Sequence, residues 1–122
     1  MSLALNLLVL RCKELERTRQ FYEHLGLVFI QEQHGKGPIH YAAPLSSGVF
    51  ELYPALQSDS SFEPARLGFT VTSLKDVLHA MQLANIQILS TSQNTDQGNY
   101  AVLLDPDGRK IEITELSETI YK

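Results

Sequence analysis

Cysteine is almost missing from this chain: Cys12 is the only one in 122 residues. A lone thiol excludes an intrachain disulfide and any zinc site built from cysteines. It is most at home in a reducing cytoplasm, the compartment the sequence points to. A block of Lys and Arg is missing too. Ten basic side chains face fourteen acidic ones, for a net charge of −4, so neither nucleic acid nor an anionic membrane surface is an expected partner. A bilayer-crossing run takes about 20 apolar residues, and the stretch from Leu3 to Leu10 falls far short. It contains Asn6, follows no basic residue, and runs into Arg11 without a small-residue cleavage pattern. It reads as a buried strand rather than a targeting signal.

What is present is the composition of an ordinary soluble globule, 43% apolar and 20% charged. That suits one domain with a single core. Residues 14–25 space Leu15, Thr18, Phe21, Tyr22 and Leu25 as the stripe of a helix lying on a sheet, with Gly26 as a left-handed cap. Residues 74–84 repeat the pattern with Leu74, Val77, Leu78, Met81 and Ala84, opened by Ser73 and closed by Asn85. Strands are expected at 6–12, 28–33, 39–43, 49–53, 67–72, 86–90, 100–105 and 110–115, separated by turn residues. Residues 57–64, rich in Ser and acidic side chains, read as a linker between modules of about 1–56 and 65–122.

The two halves match. Leu15 pairs with Leu74 at an offset of 59, and Phe50-Glu51-Leu52 with Ile111-Glu112-Ile113 at an offset of 61. The expected class is therefore α+β: two tandem βαβββ modules forming a curved mixed sheet around a cleft, with helices on the outer face. Strand alternation sends Phe50, Leu52, Ile111 and Ile113 to the helix-covered side and Glu51 and Glu112 to the cleft. Leu8, Leu10 and Cys12 meet the helix, while Leu7, Val9 and Arg11 face inward, as do Arg66, Gly68 and Thr70. Joining residue 43 to residue 48 through a short loop sets His40 opposite Glu51. His34 falls in a Gly-flanked loop, and His24 and His79 fall on the outer faces of helices. Each polar residue also has a bland reading, with Arg11 and Arg66 as counter-ions of the two glutamates and His40 as a structural partner of Glu51.

The run Glu14-Leu15-Glu16-Arg17-Thr18, followed by Phe21-Tyr22 and Leu25-Gly26-Leu27, resembles the opening of the vicinal oxygen chelate superfamily. This group includes glyoxalase I, bleomycin-resistance proteins and extradiol dioxygenases. Asp105-Pro106-Asp107-Gly108-Arg109-Lys110-Ile111-Glu112 is similar to its ending. In metal-dependent members four inward strand positions hold a divalent ion. Carried over, these fall on Leu7, Glu51, Arg66 and Glu112, so Leu7 and Arg66 stand where the family has histidine. Glu51 and Glu112 are the surviving metal-ligand candidates. They can hold a weak, water-rich Mg²⁺, or Mn²⁺ with His40 added. Arg11 falls where glyoxalase I has a substrate-contacting arginine.

Two functions follow from the resemblance. One is a lyase or isomerase acting beside a carbonyl, with Glu51 and Glu112 catalytic and Arg11, Arg66 and His40 binding substrate. The other is a non-catalytic module that sequesters a small drug or metabolite, like the bleomycin-resistance proteins. The resemblance also implies a homodimer.

Overall fold

The computed structural model describes residues 3–56, 65–95 and 98–115, with backbone alone for residues 92–95. The expected linker at residues 57–64 lies outside the described residues. The chain divides into two units, Met1–Phe62 and Glu63–Lys122, each a single pass of strand, helix and three strands.

In the first unit, β1 (Leu7–Cys12) is followed by α1 (Leu15–His24), β2 (Ile30–Glu32), β3 (His40–Leu45) and β4 (Gly48–Pro54). The sheet order is β1-β4-β3-β2, with β1 parallel to β4 and the other pairs antiparallel. In the second, β5 (Arg66–Thr70), α2 (Leu74–Leu83), β6 (Ile88–Thr95), β7 (Gly98–Leu104) and β8 (Lys110–Glu115) repeat this as β5-β8-β7-β6. The registers repeat as well. Val9 lies beside Glu51, and Gly68 beside Glu112, which reproduces the offsets of 59 and 61. The two-module α+β architecture is as the sequence foretold. Among the described residues no helix is long and apolar enough to cross a membrane.

One face of each sheet is closed by its helix. Phe21 and Tyr22 of α1 pack onto Phe50 and Leu52, all essentially without solvent contact. Tyr22 meets Phe50 edge-on at 5.0 Å, a favoured aromatic geometry. Cys12 is buried on this side with Leu10, a small hydrophobe as expected. In the second unit Met81, Leu103, Ile111 and Ile113 form the matching core. Ser73 caps α2 by accepting from the Asp76 amide at 3.2 Å, and Glu115 Oε2 accepts the Leu74 amide at 2.7 Å. Glu14 holds the corresponding position before α1 without a side-chain cap bond.

Most strand edges shift by one or two residues from expectation, and β6 runs on to Thr95 where residue 90 was expected to end it. β2 covers only Ile30–Glu32, and β3 runs on through Pro44 to Leu45. A central strand normally excludes proline, but β2 pairs with β3 only up to Ala42, so no neighbour asks Pro44 for an N–H. Gly48 is required at the head of β4. A Cβ there would lie 1.9 Å from the Asn6 carbonyl oxygen, the group that accepts the Val49 amide at 2.9 Å.

Helix α1 is also tied to β3 by polar contacts. The Tyr41 hydroxyl donates to Glu16, which accepts from Arg19 as well. These bonds, Tyr41 first, hold the Glu16 carboxyl below its ordinary 4.5. Because the folded value is the lower one, this contribution is present above the usual carboxylate range and is lost as pH falls through the depressed value. Glu16 is 59% exposed, so solvent keeps the effect small. Tyr41→Phe is expected to cost about 0.5 kcal/mol at neutral pH. In urea unfolding, the gap from the unaltered protein should narrow once Glu16 is protonated.

Candidate functional site

The face of the first sheet turned away from α1 is open, and its side chains line up in rows across the strands. Val9, Glu51, Ala42 and Ile30 form one row. The next holds Arg11 beside Tyr53 and His40 beside Glu32, and one step past the Tyr41–Leu52 pair of β3 and β4 Tyr53 lies against His40. Leu7, Val9 and Ile30 are exposed there, giving an apolar floor among polar groups.

The second row is stacked. The His40 ring lies on Tyr53 at 4.1 Å and 8°, the His34 ring approaches its other side at 5.1 Å, and the Arg11 guanidinium carbon is 5.1 Å from the Tyr53 centroid, within cation–π range. Covered on both sides, His40 is 1% exposed on an otherwise open face. Its Nδ1 faces the Pro38 carbonyl at 3.2 Å. Its Nε2 lies 3.3 Å from Glu32 Oε1 and 3.8 Å from Glu51 Oε2. The Glu51 side chain is 18% exposed.

The register corrects one expectation. His40 is not opposite Glu51; Ala42 is. The β3–β4 connection is a two-residue turn, Ser46-Ser47, closed by the Leu45–Gly48 pair, so β3 slides two residues. An even slip preserves the face, and His40 still reaches Glu51 diagonally.

On the second unit's open face, Glu112 sits between Gly68 and Val102. Arg66 Nε donates to Glu112 Oε2 at 3.2 Å, with both side chains about half exposed. They line a cavity of about 340 Å³ with Ser90, Tyr100, Val102 and Thr114. By register Tyr100 stands where the first unit has His40, and Thr114 where it has Tyr53. A larger cavity, about 620 Å³, lies along α2 and is lined by Asp76 and Glu115, of which Glu115 already caps that helix.

Arg11, His40 and Glu51 are thus brought together in the first unit, and Arg66 with Glu112 in the second. Two participants were not foreseen from sequence. Tyr53 follows Glu51 by two residues, so alternation alone places it on the same face. Glu32 needed the β2–β3 register, which no residue pattern in that short strand supplies.

The Asp105–Arg109 turn is architectural. Asp105 Oδ1 accepts the amides of Asp107 and Arg109, each at 2.9 Å. The buried Arg109 guanidinium donates to Asp105 Oδ2 at 3.0 Å and to Asp107 Oδ2 at 3.4 Å. Gly108 takes φ +88° to close it, a conformation suited to glycine.

Residues 4–113 match the model of the Glyoxalase/Bleomycin resistance protein/Dioxygenase superfamily. A search of curated proteins returns no match. Among solved structures, an integron cassette protein from the mobile metagenome of V. cholerae is 26% identical, with a TM-score of 0.68 over 96% of this chain and 98% of that one. TnmS3, an antibiotic binding protein from Streptomyces sp. CB03234, is 19% identical, with a TM-score of 0.70 over 96% and 99%. The fosfomycin resistance protein FosX from Listeria monocytogenes is 12% identical, with a TM-score of 0.71 over 98% of both chains.

Because Asp105 serves several buried donors, Asp105→Ala leaves a buried cation and two amides short of an acceptor. The expected cost is about 3 kcal/mol or more in chemical denaturation.

Proposed function

This chain belongs to the Glyoxalase/Bleomycin resistance protein/Dioxygenase superfamily, and from that footing we propose that it binds a small organic molecule on its open sheet faces and leaves it chemically unchanged. The divalent ion of metal-dependent relatives does not fit the four family positions here. Leu7 has no donor atom, and Arg66 is a permanent cation. The observation that carries the reading is the Arg66–Glu112 pair at 3.2 Å, since the carboxylate that would meet a metal has its counter-ion within the chain.

The first unit's face suits an amphipathic ligand. Leu7, Val9 and Ile30 offer exposed apolar surface, while Arg11, His40 and Glu51 supply polar anchors. Arg66 and Glu112 offer a second pair of anchors in the other unit. The antibiotic-binding and fosfomycin-resistance neighbours make antibiotics the first class to test.

A second reading is favoured by Glu51, shielded to 18% exposure with His40 Nε2 at 3.8 Å. It is a metal-free lyase or isomerase acting beside a carbonyl. In the first unit Glu51 is the base and Arg11 stabilises the oxyanion, and in the second Glu112 and Arg66 are the corresponding carboxylate and cation. Both readings include a cytoplasmic homodimer.

An antibiotic panel followed by thermal unfolding and mass spectrometry separates the two. A bound ligand at a hundredfold excess over its Kd should stabilise the fold by about 2.7 kcal/mol and be recovered intact. Arg11→Ala and Glu51→Gln should each weaken binding about tenfold. Recovery of a converted ligand, abolished in Glu51→Gln, would replace sequestration with the second reading. Light scattering should give about twice the 13.7 kDa chain mass, and a strict monomer would refute the dimer.

A further inference from the structure

We infer that Glu32, His34 and His40 form a site for a divalent cation of the zinc type, on the β2–β3 hairpin. None of the three is a family ligand position. Glu32 ends β2 and His40 begins β3, as a directly paired couple. The connecting loop returns His34 over them. Gln33 Nε2 donates to the Gly37 carbonyl at 2.9 Å and the Gly37 amide to the His34 carbonyl at 3.0 Å, which holds the loop closed.

Three observations point to a ligand. First, one donor atom from each residue lies within 4.8 Å of the other two. Glu32 Oε1 is 3.3 Å from His40 Nε2 and 3.6 Å from His34 Nε2. Ligands about 2.0–2.1 Å from a tetrahedral ion stand roughly 3.4 Å apart, so two of the three edges already have the length that an ion imposes. The third is closed by a rotation of His34, which is 73% exposed.

Second, His40 Nε2 is fully buried and, among the described residues, has no hydrogen-bond partner. Buried nitrogens in that state are rare and costly. An imidazolium paired with Glu32 would need a directed hydrogen bond, and the 3.3 Å approach does not make one. Third, Nδ1 faces the Pro38 carbonyl at 3.2 Å. Donation there fixes the tautomer that leaves the Nε2 lone pair toward the cluster, the outer-shell arrangement typical of metal-bound histidine.

Two imidazoles and one carboxylate select zinc and similar borderline ions over Mg²⁺ or Ca²⁺, which prefer all-oxygen shells. A fourth position remains for water. Glu51 Oε2, 3.8 Å from the same His40 nitrogen, is the neighbouring acceptor. This site stands whether or not the face also holds an organic ligand.

The test is titration of the chelator-treated protein with Zn²⁺, followed by equilibrium dialysis, and with Co²⁺, followed through its visible d–d absorption. The expected result is saturation at one ion per chain with a tetrahedral Co²⁺ spectrum. His34→Ala and Glu32→Gln, at exposed and half-exposed positions, should each weaken binding more than about tenfold while circular dichroism stays unchanged. Failure to bind one equivalent would overturn the site. So would binding that survives both substitutions, or binding lost in Glu112→Gln and retained in Glu32→Gln, which would move the ion to the family positions.

Discussion

The parallel pairing of first strand with last is the constraint on which each module rests. β1 lies against β4, so β1 and β2 sit at opposite edges of the sheet and the chain between them must cross two strands. Strands are about 4.8 Å apart, and three such steps make roughly 14 Å. A ten-residue helix is about 15 Å long. Because β1 and β2 run the same way, α1, with ten residues, also carries the chain back along the strands. It packs against β4 as it passes, and Phe50, Leu52 and Ala43 on the covered face have almost no solvent contact. The second module obeys the same rule with Ala101, Leu103, Ile111 and Ile113.

A crossover covers one face only, and chemistry is left to the other. There the two modules share a frame but not a vocabulary. Glu51 and Glu112 occupy equivalent register positions, yet one lies beside a stacked, buried histidine and the other beside a half-exposed arginine. Tyr100 and Thr114 replace His40 and Tyr53, so the second module has no imidazole to bury. The two units share one scaffold, and differences such as Leu7 against Arg66, Arg11 against Thr70 and His40 against Tyr100 separate their electrostatics.

Much of this was legible in the residues. Period-two alternation assigned the faces of the strands bearing Glu51 and Glu112, because their apolar neighbours leave no other face for a carboxylate. Helical stripes and caps at Ser73, Gly26 and Asn85 located both crossovers, with Asn85 at φ 59° and Gly26 at φ 112°. The hairpin register was not legible. Pro44 looks like a strand breaker, and only the early end of β2 shows that it is tolerated. That one error displaced His40 by two residues. It also hid the row from Arg11 to Glu32, since a cross-strand row is a property of register and not of any single segment.

The fate of the family metal positions follows from charge. A guanidinium and a divalent cation compete for the same carboxylate, and a permanent cation attached to the chain pays no association entropy. Once arginine stands at residue 66, Glu112 is neutralised by its own chain and the apolar Leu7 costs nothing further. In the first module Glu51 meets a histidine. Glu32 and Glu51 both approach the Nε2 of one buried imidazole, at 3.3 and 3.8 Å. Two carboxylates therefore converge on one buried nitrogen of the first module's open face. Any positive group that this fold recruits, whether on a ligand or as an ion, is drawn to the same few ångströms.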